Sequence, residues 1–311
     1  MRVVDDLNAA LHQLMAEDPD LHLVGEDLLD PYGGAFKVVK GLSSLYPDRV
    51  LTTPISEAGL VGFSAGMALR GKPVIAEIMF GDFLTLAMDQ LLNHVSKLQW
   101  MYDSQVRVPF VLRTPMGGGR GYGPTHSQSI EKHFCGIPGL TVFAVHPYSP
   151  PSALLREAYG LKSPCLFIEN KILYPQLVEP DGLPAPDTPD LLMVSYGGSL
   201  PLCKKAAAQL REEEIETEVL GVTRLSPFPA DEIRSAARRA KRVLAVEEGT
   251  AGWGFGAECA AALIHEGVAF RHISAPAHPL PSCRAWEAQV LPNPESVAAA
   301  ALDLLAAEVL R

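Results

Sequence analysis

Apolar residues recur at helical spacing over residues 4–17, where Leu7, Ala10, Leu11 and Leu14 share one face, and this predicts an amphipathic helix. A short apolar run at 21–24 predicts a strand that enters Gly25-Glu26-Asp27. Ser56 is a candidate N-cap for a helix over 57–70, and Gly59, Gly62 and Gly66 fall near one face of that helix. A glycine inside a helix costs about 1 kcal/mol relative to alanine, so the row predicts the close approach of another backbone. Further expected elements are a strand at 74–79, a long helix at 84–101 and a buried strand at 108–114. The last runs into Pro115-Met116-Gly117-Gly118-Gly119-Arg120-Gly121-Tyr122-Gly123. Strands at 140–145 and 165–169 flank an apolar helix around 153–159.

From 175 to 189 five of fifteen residues are proline, the composition of a linker. Beyond it the alternation restarts, with strands expected at 191–195, 216–221, 242–247 and 270–274. Helices are expected at 200–212, 230–240, 256–265 and from Pro294. Such alternation predicts an α/β protein of two doubly wound, mainly parallel sheets. The expected division is a first domain at 1–178, a Pro-rich linker at 179–190 and a second domain at 191–311.

At 48% hydrophobic residues, the chain of 311 residues can bury a sizeable core. Its net charge of -10 argues against a nucleic-acid surface, which needs clustered lysine and arginine. The one basic cluster, 234–242, reads as a solvated helix face. Cys135, Cys165, Cys203, Cys259 and Cys283 are odd in number and lack a Cys-x-x-Cys pair, which disfavours a disulfide framework or structural zinc. The N-terminus turns acidic at once and no stretch of 18 residues stays apolar, so a cytoplasmic protein without membrane spans is expected.

Two motifs carry candidate chemistry. Thr53-Pro54-Ile55-Ser56-Glu57-Ala58-Gly59-Leu60 places a carboxylate at the start of a helix, where the dipole alone would also favour an acid. Pro124-Thr125-His126-Ser127-Gln128-Ser129 places an imidazole after the glycine-rich loop. That loop is no nucleotide fingerprint, because Gly-x-Gly-x-x-Gly fails at every register from Gly117 to Gly123. Its glycines are expected to let the backbone pass close to a cofactor or substrate.

Together with Gly25-Glu26-Asp27, Tyr32-Gly33-Gly34-Ala35-Phe36-Lys37, the segment 77–90 and Val246-Glu247-Glu248-Gly249, these motifs stand in a familiar order. The chain resembles the beta subunits of thiamine diphosphate-dependent 2-oxoacid dehydrogenase first components, which are similar to the pyrimidine-binding and C-terminal domains of transketolase. The resemblance implies that Glu57 hydrogen-bonds N1′ of the cofactor's aminopyrimidine and favours the imino tautomer that activates thiazolium C2. It implies that His126 orients substrate and transfers protons, that Phe83 stacks on the aminopyrimidine, and that Ile55 and Met79 line the same pocket.

The family's diphosphate motif, Gly-Asp-Gly followed by asparagine, is missing, since Gly81-Asp82 continues into Phe83. The resemblance therefore implies an alpha subunit that supplies the diphosphate site and Mg2+ in an alpha2beta2 assembly, this chain contributing no metal ligand. Leu161-Lys162-Ser163-Pro164 replaces the Asp-x-Asn of a structural potassium loop, and its lysine disfavours a cation there. The expected reaction is decarboxylation of a 2-oxoacid, with the acyl group passed to a lipoyl carrier on an acyltransferase. A split transketolase-like or acyloin-forming enzyme is the alternative, kept open by Tyr102-Asp103-Ser104-Gln105 near the expected subunit contacts. A noncatalytic scaffold is the third reading, and it has no need of Glu57 and His126.

Overall fold

The computed structural model describes residues 1–307. The expected alternation builds two sheets. The first half of the chain supplies β1 (His22–Glu26), β2 (Val50–Thr53), β3 (Val74–Glu77), β4 (Phe110–Met116), β5 (Thr141–Ala144) and β6 (Cys165–Asn170). The second supplies β7 (Leu191–Tyr196), β8 (Thr217–Val222), β9 (Arg224–Ser226), β10 (Arg242–Thr250) and β11 (Ala269–Ala275). Strand order is β2-β1-β3-β4-β6-β5-β9 in one sheet and β11-β10-β7-β8 in the other. Every pairing is parallel except that of β9 with β5. So a strand from the second half of the chain closes the edge of the first sheet. At three residues, β9 is too short to show alternation in the sequence.

Helices cover both faces, as parallel sheets require. The helices Val3–Glu17 and Pro151–Gly160 share one core with the first sheet, burying Leu7, Leu11, Leu154 and Leu155. On the opposite face Leu60, Val61 and Ala65 of the helix Glu57–Leu69 join a cluster that runs on into Val194, Ile233, Ala237 and Val243. The two halves of the chain therefore share buried apolar surface. No described helix is long and apolar enough to cross a membrane.

Three local expectations are corrected. The long helix expected at 84–101 is wound at three pitches: a 3-10 segment Gly81–Ala87, a π segment Gln90–Val95 and an α turn Leu98–Met101. Ser96 donates from its hydroxyl to the Leu92 carbonyl, the kind of side-chain bond that bends helices. Ser56 does sit at the N-cap of Glu57–Leu69, but its side chain makes no capping bond. Gly62 and Gly66 meet no close backbone from this chain, since a Cβ at either would find nothing within 4 Å. That glycine face is open. The basic cluster behaves as expected, with Arg238 paired to Glu266 and Arg239 to Glu218 at the surface.

The strands' register assembles a buried ion cluster. Glu77 on β3 stands opposite Arg113 on β4, and Glu169 on β6 is two positions along from Arg113's partner Phe167. Arg113, 1% exposed, lies 2.7 Å from both carboxylates, and the Tyr174 hydroxyl donates to Glu169. Substitution of Arg113 by methionine should cost about 3–5 kcal/mol, because it leaves two buried carboxylates without their cation. Urea unfolding of the variant measures this. An unchanged midpoint would show that the cluster contributes nothing to stability.

Candidate active site

In open parallel sheets, functional groups gather beyond the carboxyl ends of the strands. Glu26 is the last residue of β1, and Glu57 opens the helix that follows β2. β1 and β2 are hydrogen-bonded neighbours, so the two acids come together. They are 3% and 5% exposed. Burial, with the charge of Glu57 alongside, pushes the Glu26 carboxyl up to about 7. One Glu26 oxygen has no hydrogen-bond partner. Near neutrality Glu26 can take up or release a proton beside Glu57.

His126 lies in a nest of rings. Phe80 and Phe83 meet it edge-on, with centroids 5.0 and 5.2 Å away, and its Nδ1 is 3.0 Å from the Thr125 hydroxyl. Its backbone carbonyl accepts a 2.5 Å bond from the ammonium of Lys171, which is fully buried. Burial pulls that ammonium down to about 8, although Asp82, Glu248 and Glu287 oppose the shift. Asp82 in turn accepts from the backbone and side-chain N–H groups of Gln128. The histidine loop is thus fixed from both sides by groups that follow β6 and β3.

The glycine-rich stretch before His126 is held from elsewhere. Glu248, at the end of the second sheet, accepts from the Gly118 amide at 2.5 Å and from the Ser129 hydroxyl at 2.8 Å. Its other oxygen takes a bond from Asn170 at the end of β6. Glu287, fully buried, accepts from the Gly121 amide at 2.6 Å. Several of these glycines also answer to the packing of the chain itself. Gly117 has φ 93° and a Cβ there would lie 2.3 Å from the Asn170 amide, while one at Gly121 would strike the Arg284 backbone at 2.9 Å. Glu247, next to Glu248, accepts from the amides of Phe255 and Gly256 and so caps the helix Phe255–Leu263.

The structure brings Phe83 against His126 and Glu26 against Glu57. Met79 is half-buried close by in sequence, whereas Ile55 is 73% exposed and lines no cavity closed by this chain. No described contact joins Glu57 directly to His126. Glu26, Lys171 and Glu287 escaped the sequence reading as site residues. Glu26 could have been found from its place at a strand end in Gly25-Glu26-Asp27. Lys171 and Glu287 carry no such signal, because a buried and an exposed charge look alike in sequence.

This arrangement is that of a two-domain transketolase-type chain. Residues 2–176 match the transketolase pyrimidine-binding domain and 183–297 the transketolase C-terminal domain. Among relatives, the chain is 32% identical to the pyruvate dehydrogenase E1 component subunit beta-1 of Arabidopsis thaliana, with 96% of this chain and 87% of the relative covered. It is also 32% identical to the acetoin:2,6-dichlorophenolindophenol oxidoreductase subunit beta of Bacillus subtilis, with 97% and 96% covered. A solved inactive beta4 tetramer of a split-gene transketolase superposes with a TM-score of 0.77 over 98% of both chains at 20% identity, a likeness of fold. The chain belongs to the family of beta subunits of 2-oxoacid dehydrogenase first components.

The buried acids make stability depend on pH. Glu26, and likewise Glu131 beneath the Tyr196 hydroxyl, bind protons more tightly folded than unfolded, with 4.5 raised to about 7 by burial. Their contribution is therefore whole below about pH 4.5 and is lost as pH rises through about 7. Glu26→Gln should gain stability over the native chain as pH rises across this window, by up to about 3 kcal/mol. Urea unfolding at pH 5 and pH 8 reads the difference, and an equal offset at both would show that Glu26 titrates normally.

Proposed function

We propose that this chain is the pyrimidine-binding half of a thiamine diphosphate-dependent 2-oxoacid dehydrogenase, which decarboxylates its substrate and passes the acyl group to a lipoyl carrier. One observation carries the reading: a buried carboxylate pair, Glu26 and Glu57, opens beside an apolar face that this chain leaves uncovered. Ile55 and Phe63 are 73% and 51% exposed there, and Gly62 and Gly66 meet nothing. Such a face suits a second polypeptide packed closely on the helix, so the assembly proposed is alpha2beta2.

The residues present fit the cofactor's ring end. Glu57 would hold the aminopyrimidine, with Phe83, Met79 and Ile55 as its apolar wall. Its diphosphate and Mg2+ belong to the alpha subunit in this reading, because Gly81-Asp82 continues into Phe83 and the Gly-Asp-Gly motif followed by asparagine is missing. When bound, the cofactor supplies the electron sink for decarboxylation. Glu57 would hold a proton shared with the ring nitrogen, and Glu26 would set the charge beside it. His126 moves a proton at the substrate, and Phe80 and Phe83 keep water from its ring. The five cysteines are all unpaired, which supports a reducing compartment such as the cytoplasm.

Three measurements test this reading. The chain alone should bind thiamine diphosphate with Mg2+ poorly in titration calorimetry, and micromolar binding without a partner would sink the split site. In the assembled enzyme Glu57→Gln should abolish rapid exchange at thiazolium C2, whereas a normal exchange rate removes Glu57 from the mechanism. His126→Ala should keep that exchange but lower turnover by roughly 10² to 10⁴-fold, the scale of lost acid–base help. Unchanged turnover would leave the histidine a structural role only.

A further inference from the structure

In a chain of net charge -10, one opening beside the glycine loop is lined by two arginines. Gly119, Arg120, Tyr122, Ile172, Pro175 and Arg284 surround about 380 Å³. Arg120 donates to the Lys171 carbonyl at 2.8 Å, and its guanidinium lies 5.4 Å from the centre of the Phe36 ring. Those two contacts fix the guanidinium and leave most of its five donors free. Arg284 comes from the other half of the chain, at the start of the helix Arg284–Val290, where its backbone is pressed against Gly121. Among the described residues neither arginine has a carboxylate within ion-pair distance. Two unpaired guanidinium groups lining one opening, that of Arg120 held in place and that of Arg284 exposed, are suited to a planar or tetrahedral anion.

The opening adjoins the histidine. The Tyr122 ring is 6.3 Å from that of Phe80, which is 5.0 Å from His126. The Tyr122 and Phe80 rings thus stand between this opening and the imidazole.

We propose that Arg120 and Arg284 form an anion subsite that takes a carboxylate or phosphate at the far end of the molecule whose reacting end lies beside His126. The proposal rests on the function above and narrows its substrate class. The far end is the group held, for two reasons. The opening that the arginines line is separated from the imidazole by the Tyr122 and Phe80 rings. In addition, arginines clamped on the departing carboxylate would stabilise the ground state and oppose its loss as carbon dioxide. A distal anion instead supplies binding energy that orients the reacting end.

The test uses the cofactor-loaded alpha–beta assembly. In calorimetry, glutarate or inorganic phosphate should bind saturably while neutral glutaramide does not. Arg120→Gln and Arg284→Gln should each weaken anion binding roughly ten- to hundredfold, the worth of one charged hydrogen-bonded partner. Arg120→Lys, which keeps the charge in a part-buried position, should retain most of it. In turnover, kcat/KM should favour 2-oxoglutarate over 2-oxohexanoate or phosphohydroxypyruvate over hydroxypyruvate, and the favoured pair tells carboxylate from phosphate. Both glutamine variants should bring that ratio towards one. Equal binding of neutral and anionic probes would overturn the proposal, as would anion binding untouched by either substitution. So would loss of assembly in Arg284→Gln without any effect on anions, which would make that arginine a subunit contact. If no 2-oxoacid is turned over while the anions still bind, the reaction is wrong and the subsite stands.

Discussion

The loop that carries His126 depends on carboxylates from another part of the chain. A glycine-rich segment has little conformational preference of its own, and ordering it costs more entropy than ordering any other sequence of the same length. Glu248 and Glu287 offset that cost by accepting the Gly118 and Gly121 amides, with neighbouring glycines giving the second half of the chain room to approach. Lys132 adds a bond in the reverse direction, from the first half to the Thr250 and Gly252 carbonyls. The imidazole's position is thus a property of the two halves together.

Beneath this loop the sheet buries charge in quantity. Arg113 between Glu77 and Glu169, Lys171 against the His126 carbonyl, and Glu26 beside Glu57 all lie at or just beyond the carboxyl ends of β1, β3, β4 and β6. Charges taken out of water are costly unless paired, so each limits where its neighbours can sit. In the Arg113 cluster one cation serves two carboxylates, and burial still raises the proton affinity of Glu169. Glu26 faces another carboxylate, Glu57, and burial raises its proton affinity too.

The same chain leaves its other face open. Helix Glu57–Leu69 buries Leu60, Val61 and Ala65 inward, while Phe63 is exposed and a Cβ at Gly62 or Gly66 would meet nothing. A monomer gains nothing from three glycines in a helix, since each weakens it. Their placement next to Glu57 makes sense for a site completed by a second polypeptide.

Periodicity in the sequence determined the two α/β units and most of their strands and helices, though not β2, β9 or the helix Arg284–Val290. These follow from side-chain spacing at 2.0 and 3.6 residues, which is a local property. Glu57, His126 and Phe83 were legible as candidates because each sits in a motif of neighbouring residues. Tertiary structure alone decided that β9 crosses to the first sheet, that Glu26 stands beside Glu57, and that Lys171, Glu248 and Glu287 hold the histidine loop. It also decided that the glycines of 117–123 make room for the chain itself, and that those of 57–69 face outward. The reason is common to all of these. Each is set by which distant segment comes to lie against a residue, and neither its type nor its neighbours in sequence record that.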